Sequence, residues 1–151
     1  MNSQSAVGRP MEILLVEDGL VDARLTIGAL QRAGFLHRLS LIRDGEEALE
    51  FVHRQGKFAH APRPDLILLD LMLPKKSGLE VLTDIKSDPA LQNIPVVIMT
   101  ASQTDQDRRD CDLHRVDAYV TKPVNLEKFL ELIQKLKRFW LDDVVLPTVE
   151  S

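Results

Sequence analysis

Three runs, ILLV at 13–16, LILL at 66–69 and VVIM at 96–99, are apolar at every position. Runs of four are far too short to span a bilayer and too short for a helix that buries one stripe. A strand with no polar face is one covered on both faces, as in a parallel sheet held between helices. Stretches of helical period separate the runs. The pattern predicts strands at 12–16, 37–42, 65–69, 96–99 and 118–121, and helices at 20–33, 46–55, 79–87, 105–115 and 126–139. Asp44 and Asn125 are suited to cap the second and fifth helices, Gly56 to end the second, and Pro89 follows the third. The segment 57–63 reads as a surface loop. Strands alternating with helices imply a parallel sheet with helices on both sides.

The strands differ in a way that orders them. The stretch HRLSLI at 37–42 mixes polar with apolar residues and suits an edge; AYVT at 118–121 is short and suits the other. With strands one, three and four central, the order is 2-1-3-4-5, a flavodoxin-like doubly wound α/β fold. A chain of 151 residues is enough for one such domain. Nineteen Lys and Arg against 23 Asp and Glu leave a net charge of −4 with no basic cluster, which disfavours direct DNA binding. No membrane segment and no signal peptide is expected. The single cysteine, Cys111, cannot form an internal disulfide, which fits a cytoplasmic location.

Chemistry collects just past the apolar runs. Strand one is followed by Glu17 and Asp18, strand three by Asp70, strand four by Thr100 and strand five by Lys122 and Pro123. In a parallel sheet these ends share one rim, and ligands bind there where the strand order reverses, between strands one and three. Glu17, Asp18 and Asp70 would converge in that crevice and repel one another unless a cation sat among them. Oxygen ligands without His or Cys favour Mg²⁺, which keeps positions for water and phosphate oxygens. Lys122 and Thr100 are suited to the equatorial oxygens of a phosphoryl group, and Asp70 to be its nucleophile. Singly, the bland readings are strong: a Glu-Asp pair after a strand often caps a helix, Thr100 could be a cap, and Tyr119 a core residue. Their joint placement outweighs those readings.

These residues resemble the receiver domain of two-component response regulators, through VED at 16–18, LLDLMLPKKSG at 68–78, IMTA at 98–101 and AYVTKP at 118–123. The resemblance implies a CheY-like fold over 11–139, after a flexible segment 1–10 and before an extension 140–151. It implies that Asp70 is the phosphoacceptor, that Glu17, Asp18, Asp70 and the backbone carbonyl of Met72 hold Mg²⁺, and that Lys122, before a cis peptide to Pro123, pairs with the phosphate. Thr100 and Tyr119 would form the switch pair. Receivers often carry a polar residue where Met72 stands, so an altered acyl-phosphate lifetime is expected. Such a protein is a phosphoacceptor rather than an enzyme acting on an outside substrate. About a dozen residues follow the domain, so output is expected through a partner, a dimer or onward phosphotransfer.

Leu126, Phe129, Leu130, Ile133 and Leu136 are enough to face the sheet. Leu132, Phe139 and the segment WLDDVVL at 140–146 are then surplus, either folded back or covering a second copy in a dimer. This tail, with DARLT at 22–26 and LPKKSG at 73–78, is similar to regulators paired with bacterial and cyanobacterial phytochrome histidine kinases. That similarity implies a bacteriophytochrome-type kinase partner and a homodimer through the helix-four to helix-five face and the tail. Met72 and Met99 read as packing residues, the histidines at 37, 53, 60 and 114 as surface residues, and Cys111 as unreactive. A dehalogenase-type phosphatase needs an acid where Met72 stands. A flavin carrier would place phosphate against Glu17 and Asp18. An unphosphorylated dimeric scaffold on the same fold would not need the full acidic, Thr and Lys set.

Overall fold

The computed structural model describes residues 9–33, 36–100, 109, 118–122, 127–129 and 131–132. Strands β1 (Met11–Val16), β2 (His37–Ile42), β3 (Leu66–Leu69), β4 (Val96–Thr100) and β5 (Ala118–Thr121) form one parallel sheet in the order β2-β1-β3-β4-β5. Helices α1 (Leu20–Ala33), α2 (Gly45–Val52) and α3 (Gly78–Ser87) connect the first four strands. The expected order is the observed one. The reason lies in burial: every residue of β3 is fully buried, whereas β2 is mostly half-buried, as an edge strand must be.

Side chains alternate between two separate cores. Leu14, Val16, Ile67, Leu69 and Ile98 meet Ala48 and Phe51 of α2 and Val81, Leu82 and Ile85 of α3. Ile13, Leu15, Leu66, Leu68, Val97 and Met99 meet Ala23 and Leu30 of α1 and Phe129. Each fully buried Leu or Ile contributes about 1.5–3 kcal/mol relative to exposure, so the runs noted in the sequence supply much of the driving force. At the rim where β1 and β3 begin, the Arg9 guanidinium donates to both Asp65 oxygens at 2.6 and 2.7 Å. Asp65 Oδ2 also accepts the Glu12 N–H at 2.7 Å.

Helix ends explain the boundaries. Asp44 caps α2, accepting from the Glu47 N–H at 2.7 Å, and Ser77 and Glu80 form a reciprocal capping box on α3. Gly56 does not end α2. The helix stops at Val52, and Arg54 takes the left-handed position beyond the cap at φ 55°. Arg54 N–H donates to Phe51 and Gln55 N–H to Glu50. This is a Schellman closure that glycine normally makes. Gly56, at φ 56°, opens a short 3-10 turn, Gly56–Phe58, so the expected loop is partly ordered. Its Phe58 ring lies 5.3 Å from Phe51 and packs on the core.

Three further expectations are corrected. Met72 is 70% exposed and does not pack, whereas Met99 does. Leu132 is not surplus: it is half-buried against the α1-side core. His53 is not a plain surface residue; its ring lies 2.6 Å from Asp84 and 3.6 Å from Asp88, joining the ends of α2 and α3. The expected helix 105–115, apart from Arg109, lies outside the described residues, as do Cys111, His114, Pro123, Asn125 and the tail 140–151. No helix among the described residues is long and apolar enough to cross a membrane.

Candidate functional site

Strand pairing runs one residue beyond three strands. Glu17 N–H donates to Ile42, Asp70 N–H to Val16 and Lys122 N–H to Thr100, at 2.9–3.0 Å. Pairing extends the two-residue alternation, so Glu17 follows Ile13 and Leu15, Asp70 follows Leu66 and Leu68, and Lys122 follows Ala118 and Val120. All three fall to the α1 side of the sheet. The polar residues that end the strands are therefore brought together by the same period that buries the apolar ones.

They meet at one ammonium group. Lys122 Nζ lies 2.5 Å from Glu17 Oε1, 2.9 Å from Asp70 Oδ2 and 3.1 Å from Asp22 Oδ2. An ammonium has three N–H donors, and three carboxylates take them. The second Glu17 oxygen accepts the Gly19 N–H at 3.0 Å, and Asp70 Oδ1 accepts the Met72 N–H at 3.0 Å. Glu17 and Asp70 are buried and the Lys122 side chain is nearly so. Burial works to lower the Lys122 pKa, but the hydrogen bonds the ammonium donates to Glu17, Asp70 and Asp22 outweigh it and hold it well above the ordinary lysine range. Burial raises the Glu17 carboxyl above its usual value, against the lowering by Lys122 and the Gly19 N–H.

Asp18 stands apart, its side chain 53% exposed. Arg43, from the end of β2, donates to the Asp18 carbonyl at 2.7 Å and lies 3.8 Å from its carboxylate. Thr100 is the last residue of β4 rather than just past it, fully buried. Tyr119 is half-buried against the α2–α3 core, paired in register with Ile98. The structure thus joins Glu17, Asp70 and Lys122 directly, leaves Asp18 beside Arg43, and places Tyr119 on the opposite face of the sheet.

The donor set fits a small hard cation. It is carboxylate oxygen throughout, and four acids, Glu17, Asp18, Asp22 and Asp70, face two bases, Lys122 and Arg43. Among the described residues no three Asp, Glu, His or Cys side chains stand so as to hold a metal ion between them.

Sequence reasoning missed Asp22, Arg43 and Gly78. Asp22 lies one helical turn beyond Asp18 and next to buried Ala23, a placement visible only once α1 is packed. Gly78 opens α3 against the chain that carries Asp70: a Cβ there would lie 2.3 Å from the Asp70 carbonyl oxygen and 2.6 Å from Leu71 Cα. Gly78→Ala is therefore expected to cost about 2 kcal/mol, because the obstacle is backbone and cannot swing away. Urea unfolding checks this, with Gly56→Ala as a control for which a Cβ meets nothing within 4 Å but carries the left-handed strain.

The response regulator receiver domain family matches residues 13–134, and the chain belongs to it. It is a two-component signalling protein of the class that accepts phosphoryl groups on aspartate. It is 45% identical over 139 residues to response regulator Rcp1 of Synechocystis sp., covering 91% of this chain and 94% of that one. The crystal structure of Mn²⁺-bound Rcp1 superposes with a TM-score of 0.75 at 44% identity, covering 92% of this chain and 100% of that one. The phosphorylated cyanobacterial phytochrome response regulator RcpA gives 0.75 at 42% identity, covering 92% and 99%.

Proposed function

We propose that Asp70 accepts a phosphoryl group from a histidine kinase and that the resulting charge resets Thr100 and Tyr119 to signal onward. The observation that supports it most is the pose of Asp70, buried at the point of strand reversal with Oδ2 on the Lys122 ammonium and Oδ1 on the Met72 N–H. One Asp70 oxygen attacks phosphorus, the N–P bond of the donor phosphohistidine breaks, and its electron pair leaves with the imidazole, which takes a proton from solvent. Mg²⁺, held by the carboxylates of Glu17, Asp18 and Asp70 and the Met72 carbonyl, would offset charge on the phosphoryl oxygens. Lys122 exchanges its bond with Asp70 for one with a phosphoryl oxygen, and the Thr100 hydroxyl donates to another.

The similarity to RcpA, named as a phytochrome response regulator, favours a phytochrome-type histidine kinase, acting in the cytoplasm. Leu20, Val21 and Leu25 of α1, about half exposed or more beside the site, offer that kinase an apolar landing surface. The tail 140–151 and the helix-four to helix-five face join two copies of the protein; deleting 140–151 is expected to bring its sedimentation to that of a monomer, and an unchanged dimer would refute this. The receiver reading is tested by intact-mass spectrometry after incubation with acetyl phosphate. A gain of about 80 Da that requires Mg²⁺ is expected. No gain with either acetyl phosphate or a phosphorylated phytochrome-type kinase would favour an unphosphorylated scaffold.

A further inference from the structure

The DARLT segment contributes one residue that the phosphoacceptor chemistry leaves without a task, Asp22. Its carboxylate is 43% exposed and lies 3.1 Å from Lys122 Nζ, on the solvent side of an ammonium whose side chain is only 9% exposed. The other two partners of Lys122 have duties elsewhere. Glu17 would be drawn to the metal, and Asp70 becomes the acyl phosphate. Asp22 is the partner that neither event removes.

Its position also sets the field at the entrance. Asp22 Oδ2 and Asp70 Oδ2 bond the same nitrogen, so they stand no more than about 6 Å apart. A phosphodonor approaching Asp70 brings its negative phosphoryl oxygens into the neighbourhood of the Asp22 carboxylate. Asp18, also half exposed, has Arg43 beside it, whereas the base beside Asp22 is the buried Lys122.

Resting on the reading of Asp70 as acceptor, we propose that Asp22 is a positioning and specificity residue: it holds Lys122 from the solvent side and charges the entrance against small, highly anionic phosphodonors. A donor docked by its kinase brings its own charged and apolar contacts and is less sensitive to this one carboxylate. Free acyl phosphates, which carry two negative charges near pH 7, feel it fully. Asp22 thereby favours phosphorylation by a protein partner over phosphorylation by small metabolites.

The test compares two free donors of different charge on the full chain at saturating Mg²⁺: acetyl phosphate, doubly negative, and phosphoramidate, singly negative overall. At low ionic strength Asp22→Asn should accelerate labelling about tenfold with acetyl phosphate and about threefold with phosphoramidate, the ratio expected for one charge at about 6 Å in water. Both gains should shrink toward unity in about 1 M salt. Asp22→Glu, which keeps the charge, should stay within about twofold of the parent protein. Equal acceleration of both donors, acceleration that survives salt, or no acceleration would each overturn the role of Asp22 while leaving Asp70 as acceptor. Labelling of Asp70→Asn at the parent rate, or no labelling of the parent by either donor or by a phosphorylated phytochrome-type kinase, would overturn both readings.

Discussion

Asp70→Asn is expected to abolish the Mg²⁺-dependent phosphoryl adduct entirely while leaving the protein folded. The amide is nearly isosteric with the carboxylate, and its oxygen can still accept the Met72 N–H that Asp70 Oδ1 accepts at 3.0 Å. Its NH₂ group then faces the Lys122 ammonium where Asp70 Oδ2 stood at 2.9 Å, so one charge-assisted bond is lost. Against that, one negative charge leaves a crowded acidic cluster. The two effects are of similar size, so stability should move by no more than about 1 kcal/mol. Reactivity has no such compensation, since an amide oxygen forms no stable acyl phosphate. Intact mass reads the adduct and urea unfolding reads stability. An adduct retained at the parent level would move the acceptor role to Glu17 or Asp18.

Lys122→Met is expected to destabilise the metal-free protein by about 3 kcal/mol. Removing one member of a buried ionic cluster leaves the others without compensation, and the usual 3–5 kcal/mol is taken at its lower end because Asp22 is substantially solvated. The deficit carries a pH signature. Glu17 already has a raised pKa in the fold, and loss of the Lys122 hydrogen bond raises it further. A carboxyl whose folded pKa exceeds its unfolded value binds its proton more tightly when folded, so stability falls as pH rises through that window. The variant should therefore be most deficient above that window and recover as the medium is acidified through it. The raised pKa of Lys122 implies that the parent keeps its own ionic contribution until the medium is strongly alkaline. Added Mg²⁺ should restore part of the lost stability. A deficit independent of both pH and Mg²⁺ would mean that Lys122 acts through packing alone.

The sheet was legible because its strands obey one rule each. ILLV, LILL and VVIM have no polar face, and burial on both sides is what the structure assigns them. Glu17, Asp70 and Lys122 were legible because they occupy equivalent places after those strands. Asp22 was not, because its partner stands 100 residues away and is reached only by the packing of α1. Arg54 escaped for a different reason: an ordinary side chain occupies a conformation that sequence logic reserves for glycine, and the nearby Gly56 drew the expectation to itself. Met72 was misjudged from residue type, because its backbone N–H, which serves Asp70, is what the local turn fixes.

The sheet also partitions the labour of the molecule. Glu17, Asp70 and Lys122 belong by strand period to the face covered by α1, whereas Tyr119 packs with the core on the opposite face. A one-strand-thick wall thus lies between the carboxylate and ammonium cluster and the core that holds Tyr119. Side chains on either face can then be exchanged without disturbing the other. Substitution pairs drawn from opposite faces, such as Ile27→Val with Leu49→Val, should be additive in stability to within about 0.5 kcal/mol.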